Sequence, residues 1–286
     1  MLGGIEAGGT KCVLAIGSAP DRIEACVSVP TRSPEETVAD ILGWFARQPR
    51  ITALGLATFG PVGLDPARDD WGHILDTPKA GWSRFDLTGA IARGLGVTVA
   101  VETDVNAAAL AEAGAQPHSA SKSLAYMTVG TGIGVGLVLD GRCVHGAAHP
   151  EMGHFYPRRP AGDTDFPGTC PFHGDCLEGL ASGPAILARW GATLSDLPPD
   201  HPAHGLVAEY LAQACHTIFA AASVETVVCG GGVMGAPGLL ERVATRAREL
   251  DAGYLPGRER HLVSAPRLGT RSGIVGALTI AAGLSL

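Results

Sequence analysis

Between Glu151 and Glu178 the chain carries His154, Cys170, His173 and Cys176, spaced H-x15-C-x2-H-x2-C. Two thiolates and two imidazoles complete a tetrahedral Zn2+ and leave no position open, so the chemistry implied is structural, not hydrolytic. Spacing this tight sets the four apart from unrelated polar residues scattered in a loop. An ion held there would draw together the flanking carboxylates Glu151 and Glu178, and such acceptors bind polyols well. The run YPRRPAGDTDFPGT at 156–169 is too rich in Pro and Gly to form an element of its own. A metal that pins both its ends would give it order.

A second set of residues suits phosphoryl transfer. Asp104 lies in Glu102-Thr103-Asp104-Val105-Asn106, at the end of an expected strand and the mouth of an expected helix. A carboxylate there has two readings. It caps the helix N-terminus, or it is the base that accepts a substrate hydroxyl proton, since ligands of open α/β sheets sit at the carboxyl ends of strands. Asn106 can hydrogen-bond another hydroxyl. Gly8-Gly9-Thr10-Lys11 reads as a hairpin tip without bulky side chains, where backbone donors can approach phosphate oxygens. It is not a Walker A loop, and by itself it reads more readily as a plain turn. Gly130-Thr131-Gly132-Ile133-Gly134 offers the same chemistry at the matching place in the other half. Gly230-Gly231-Gly232 then follows an apolar strand.

The elements that must carry these residues occur twice. Leu2–Glu6, Val13–Ile16 and the alternating Ile23–Val29 read as strands. Ser33 as N-cap and Pro34 at the first helical position open a helix to about Gln48, and a strand Thr52–Thr58 follows. Strand Val97–Glu102 and helix Asn106–Ala113 complete the first half. The order returns with Leu124–Val129 and Val135–Leu139, then an Asp140-Gly141 hairpin turn into Cys143-Val144. A helix over Gly205–Ala222 and a strand over Thr226–Cys229 follow. Each half is thus a glycine-tipped hairpin, a helix and a strand ending in glycine, which suggests two α/β lobes clamping a nucleotide. The boundary is expected in the polar run 115–122, giving lobes of 1–116 and 117–272. The apolar helix at about 273–286 is expected to pack back on the first.

The 286 residues include 46% hydrophobic and 17% charged side chains, ample for a core and unlike a disordered chain. A net charge of -7 argues against a nucleic-acid surface. No signal peptide is recognised and no stretch is apolar enough to span a membrane, so a cytoplasmic protein with no membrane or nucleic-acid partner is expected. Of seven cysteines, Cys12, Cys26, Cys143, Cys215 and Cys229 sit among apolar residues and read as small buried hydrophobes. Apolar helical surfaces such as Gly205–Ala222 leave room for a homodimer, the expected assembly.

These segments together resemble the ROK family of sugar kinases and sugar-responsive repressors, and within it the bacterial fructokinases. The resemblance runs through GGIEAGGTK, TFGPVGLD (58–65), TPKAGW (77–82), ETDVNAAALAE (102–112), TVGTGIGVG (128–136), HPEMGH (149–154), CPFHGDCLEGLASGPA (170–185) and CGGGVM (229–234). HPEMGH followed by CPFHGDCLEGLASGPA is the most specific. The family implies a two-lobed actin- and hexokinase-like (ribonuclease H-like) α/β fold with the active site in the interlobe cleft, and ATP, Mg2+ and a hexose as its partners. Carried over, Asp104 matches the catalytic base, and Asn106, Glu151, His154 and Glu178 match sugar-binding positions, with His154 also reaching the zinc. Gly9, Thr10, Lys11, Thr131 and Gly132 match the phosphate hairpins. Gly230, Gly231 and Gly232 match the nucleotide edge, and Pro184 a residue near the nucleotide. Many members carry C-x-C-G-x-x-G-C-x-E where this chain has Cys-Pro-Phe-His-Gly-Asp-Cys; the His-containing form resembles the fructokinase branch and implies fructose. Mannose, glucose or an N-acyl amino sugar is the alternative substrate. Of other classes, a repressor would need a helix-turn-helix before the first hairpin, where no space remains, and a zinc hydrolase would need an open metal position.

Overall fold

The computed structural model describes residues 1–117 and 123–284. The first half runs β1 (Leu2–Ala7), β2 (Lys11–Ala19), β3 (Arg22–Pro30), α1 (Pro34–Phe45), β4 (Ala53–Thr58), α2 (Leu87–Leu95), β5 (Thr98–Thr103) and α3 (Asp104–Gly114). The second runs β6 (Leu124–Val129), β7 (Ile133–Leu139), β8 (Arg142–Cys143), α4 (Leu177–Ala181), α5 (Gly183–Trp190) and α6 (Pro202–Ala222). It closes with β9 (Thr226–Gly230), α7 (Leu239–Asp251), β10 (Leu262–Ser264) and α8 (Ser272–Gly283). The chain divides into two compact units, Met1–Ala115 with Cys143–His149 and Thr270–Leu286, and Gln116–Arg142 with Pro150–Gly269. Cys143–His149, placed in the second lobe on sequence, groups with the first unit. The polar run at 115–122 lies partly outside the described residues, as do the last two residues of the expected 273–286 segment.

In the first unit the sheet order is β3-β2-β1-β4-β5. The β1–β2 hairpin is antiparallel, Ile5 facing Leu14, while β1–β4 and β4–β5 are parallel. One face buries Ile5, Leu14 and Leu56 against Ile41 and Trp44 of α1, Ile91 of α2 and the loop residue Trp82. The other buries Ala57 against Ala107 of α3 and Ile274, Ala277 and Leu278 of α8. Small residues let α8 lie close on the sheet. A Cβ on Gly55 would sit 1.8 Å from the Ala277 carbonyl oxygen, so any larger residue forces backbone apart. Ser33 and Glu36 form a reciprocal capping box at the start of α1, with Pro34 beside it, as the sequence implies.

In the second unit the order is β10-β9-β6-β7-β8, so β7-β6-β9 repeats the arrangement β2-β1-β4. β6–β7 is antiparallel, and β6–β9 and β9–β10 are parallel. Asp140 and Gly141 both take positive φ, the type I′ geometry whose twist suits a tight hairpin. Leu124, Met127, Val227 and Val228 are buried, as are Leu211, Cys215 and Ile218 on α6. α6 starts three residues before the expected Gly205, because His201 caps it and Pro202 occupies its first position. Two cysteines differ from expectation: Cys26 is exposed, on the outward face of the alternating strand β3, and Cys143 is half-buried. No helix among the described residues is long and apolar enough to cross a membrane.

Candidate active site

In the first unit the candidate residues lie in two turns at the carboxyl ends of β1 and β5. The β1–β2 turn is closed by the Gly8 N–H donating to the Lys11 carbonyl at 2.9 Å. Its outer carbonyls are taken up by neighbours: Thr31 Oγ1 donates to the Gly8 oxygen at 2.8 Å, and Lys79 Nζ to the Gly9 oxygen at 2.6 Å. Lys79 escaped the sequence reading although it lies in TPKAGW; nothing local marks a lysine 70 residues from its acceptor.

At the end of β5 the two readings of Asp104 separate. The N-cap of α3 is Thr103, whose side chain accepts from the Asn106 N–H at 3.1 Å, and Asp104 is the first helical residue. The helix-cap reading is therefore overturned: Asp104 stands half-exposed in the first turn, its Oδ1 accepting from the Val105 N–H at 2.9 Å. Asn106 is 1% exposed, and its Nδ2 donates to Glu102 Oε1 at 3.0 Å. The same Oε1 accepts from the Thr103 N–H at 2.9 Å, and His145 Nε2 lies 2.8 Å from Oε2. Burial alone would raise the Glu102 pKa; the donors His145, Asn106 and Thr103 N–H outweigh it and hold the carboxylate below its usual range. Cys143 Sγ lies 3.8 Å from the Asn106 carbonyl, its thiol pushed up by burial and then by the charge of Glu102. Glu102 and His145 were missed on sequence. The available signal was a carboxylate ending an apolar strand four residues before an amide.

In the second unit the β6–β7 hairpin is gathered from three sides. The Gly130 N–H donates to the Gly132 carbonyl at 2.9 Å, and the Gly183 N–H to the Gly130 carbonyl at 2.7 Å. Glu178 Oε2 accepts from the Ile133 N–H at 2.9 Å. The second of these bonds sets the start of α5, with Ser182 as N-cap and Pro184 beside it, against the hairpin. Gly231 comes to the same place from β9. It holds φ +92, and a Cβ on it would lie 2.4 Å from the Val129 carbonyl oxygen, so only glycine allows this approach. Thr131, Gly132, Pro184 and Gly230–Gly232 thus lie on neighbouring turns of one unit.

The metal-ligand candidates also converge. One donor atom from each of His154, Cys170, His173 and Cys176 lies within 4.8 Å of the others. Cys170 Sγ is 3.7 Å from His154 Nδ1 and 3.7 Å from His173 Nδ1, and Cys176 Sγ is 3.5 Å from His154 Nδ1. Bond lengths of ~2.3 Å to sulfur and ~2.05 Å to nitrogen give a tetrahedron with S–N edges of about 3.6 Å. The donor set therefore fits a zinc ion. Backbone bonds fix it: Cys170 and Gly174 exchange N–H···O contacts, and the Leu177 N–H donates to the Phe155 carbonyl at 2.9 Å. Burial, with the Cys170 thiol adding to it, pushes bare Cys176 up to about 11. A cation is what would favour its thiolate at neutral pH.

Glu151 precedes this turn and Glu178 follows it, close enough for Glu178 to act on Glu151 electrostatically. Glu151 reaches solvent, yet protein packed around its carboxyl raises its pKa, as does the charge of Glu178. The excursion at 156–169 has, besides the metal set, a second anchor that the sequence reading did not find. Buried Asp163 accepts from Arg189 Nη2 and from Tyr210 Oη. Arg159 donates to the Asp163 carbonyl at 2.6 Å, to the Phe166 carbonyl at 2.7 Å and to Asp175 at 3.1 Å. Arg189 also lies over the Phe166 ring at 5.1 Å.

The comparisons with known proteins agree with this geometry. The ROK family model matches residues 2–283. A fructokinase of Zymomonas mobilis is 40% identical, covering 98% of this chain and 95% of its own. A putative fructokinase of Bacillus subtilis is also 40% identical, with the same coverage of both chains. Among solved structures, a ROK hexokinase from Thermus thermophilus superposes with a TM-score of 0.80 at 28% identity, over 99% of this chain and 98% of that one. The chain belongs to the ROK family.

Proposed function

We propose that this chain is a sugar kinase that transfers the γ-phosphoryl group of Mg-ATP to D-fructose, giving fructose 6-phosphate and ADP. The observation that carries the reading is the 40% identity, over nearly the whole chain, to relatives named for that activity. The conformation of Asp104 supports it. Thr103 does the capping, so the Asp104 carboxylate is set at a strand end without that structural task. Its role is to accept the proton of the sugar hydroxyl as that oxygen attacks the γ-phosphorus and the bond to the β-phosphate oxygen breaks. Asn106, Glu151, His154 and Glu178 bind the other hydroxyls. The two glycine hairpins, at Gly9–Lys11 and at Thr131–Gly132, present backbone N–H groups to the phosphates, with Gly230–Gly232 and Pro184 lining the nucleotide. Mg2+ arrives with ATP and offsets phosphate charge.

The zinc reading rests on the fit of the four donors. His154, Cys170, His173 and Cys176 would hold Zn2+ with no coordination position left for substrate, so the ion supplies order and no Lewis acidity toward the sugar. ADP release measured with Mg-ATP across fructose, mannose, glucose and N-acetylmannosamine tests the specificity. Fructose should have the highest kcat/KM. An advantage of more than about tenfold for another hexose, or ~1.4 kcal/mol in transition-state binding, would overturn the substrate assignment.

A further inference from the structure

The Glu102–His145 pair borders the proposed sugar site and has no part in the reaction as written above. Its geometry is specific. Glu102 is a buried carboxylate at the end of β5, with the Thr103 N–H and Asn106 Nδ2 on Oε1, His145 Nε2 on Oε2, and a weaker hydrogen bond from the Cys143 thiol. A carboxylate only accepts, so the Asn106 atom facing it must be the amide nitrogen, which turns the amide oxygen the other way as an acceptor. Glu102 thereby chooses which hydrogen-bonding face Asn106 can show to a ligand. His145 in turn chooses where Glu102 sits. The imidazole comes from the segment after β8, and its side chain is 43% exposed while that of Glu102 is 7% exposed. Solvent therefore reaches the histidine, which supplies the charge-capable donor on the second carboxylate oxygen.

We propose that Glu102 and His145 are positioning residues for sugar binding, and that protonation of His145 tightens the grip on the hexose by fixing the Glu102–Asn106 hydrogen bond. The proposal rests on the sugar-kinase reading of Asn106. The direction with pH follows from the pair. Hydrogen bonding to Glu102 raises the His145 pKa, with desolvation opposing it. A group with a raised folded pKa gives its full contribution at low pH and loses it as pH rises through that value. Other titratable groups near the pair do not produce this profile. The Cys143 thiol is pushed upward, out of the range. His149, on the same segment, is buried and its Nε2 accepts from the Val62 N–H at 3.2 Å. Asp104 in the next turn acts on the chemical step, and thus on kcat.

The test is steady-state kinetics of the full chain with fructose and Mg-ATP between about pH 5.5 and 8.5, the range in which a histidine titrates. For the parent, the fructose KM should rise about three- to tenfold from the acid to the alkaline end while the ATP KM stays level, a modest change because the pair is part-exposed. His145→Gln should show the higher KM throughout, with a flat profile. His145→Lys keeps a cation across the range and should restore the low KM, also flat. Glu102→Gln leaves one acceptor oxygen for all of these donors and should raise the fructose KM by about tenfold or more. An NMR titration of His145 should show its pKa falling toward ~6.5 in Glu102→Gln. A flat KM profile in the active parent overturns the proposal. So does a His145→Gln enzyme that keeps the parent profile, or a His145 pKa unmoved in Glu102→Gln. A parent that phosphorylates no hexose is a different result, since it removes the kinase reading and with it the proposal.

Discussion

The Asp104 site and the Glu151–Glu178 segment hold their functional side chains by opposite means. Around Asp104 the run from Glu102 to Asn106 sits on regular elements. β5 is paired along its length with β4, Thr103 caps α3, and the buried Glu102 ties strand end to helix start. The backbone entropy of this site is already spent on the sheet and the helix. From 156 to 169, by contrast, there is no helix or strand. Ordering each such residue costs about 1–2 kcal/mol of backbone entropy, and cross-links must offset it: the four candidate metal ligands at the ends and the Asp163 cluster in the middle. A site built on elements fails by losing a chemical group. A site built on cross-links fails by losing shape.

The largest effect expected is therefore chemical. Asp104→Asn keeps the size and much of the hydrogen bonding but removes the proton acceptor. Its kcat should fall about 10²–10⁴-fold, with fructose still binding and the melting temperature nearly unchanged because Thr103 retains the cap. A variant with near-parental turnover would show that Asp104 is not the base.

Next comes the loss of a ligand. Cys176→Ser, or treatment with a chelator, should raise the fructose KM by about tenfold or more, as ligand-shell losses do. The ATP KM should change little. Parent protein purified without chelator should contain one zinc per chain by elemental analysis. Protein free of zinc, or a Cys176→Ser enzyme with the parental fructose KM, breaks the contrast between the two regions.

What could be read from the sequence divides along the same line. The paired hairpins, α1 with its Ser33–Glu36 box, β5 and the Asp140-Gly141 turn follow from periodicity and capping chemistry, which are local signals. The candidate metal set was visible because three of its four members, Cys170, His173 and Cys176, are close in the chain. Asp163 was not, since its partners Arg189 and Tyr210 lie 26 and 47 residues away on separate helices. A buried ion cluster leaves no periodic trace, and Asp163 in GDTDFPG reads as one more loop aspartate. Thr103 took the cap from Asp104 for a related reason. Both residue types suit that position, and only the φ and ψ of the folded chain decide between them.

The smallest effect sharpens the comparison most. If the excursion is held at its ends by metal and in its middle by Asp163, each anchor covers partly for the other. Asp163→Asn keeps the shape and one acceptor but removes the charge facing Arg189 and Arg159. It should cost ~1–3 kcal/mol and lower the melting temperature by a few degrees, while zinc content stays at one per chain and the fructose KM rises only about two- to threefold. The pH dependence has a defined sign. Burial alone would raise the Asp163 pKa, but Arg189, Tyr210 and Arg159 outweigh it, so the folded value is lowered. Its contribution is present above the unfolded value of ~3.9 and is lost as pH falls through the folded one. The stability gap between parent and Asp163→Asn should therefore close below about pH 4. Combining Asp163→Asn with Cys176→Ser should raise the fructose KM by more than the product of the single effects, because the last anchor has gone. Simple multiplication of the two would mean that the metal and the ion cluster order separate stretches of chain.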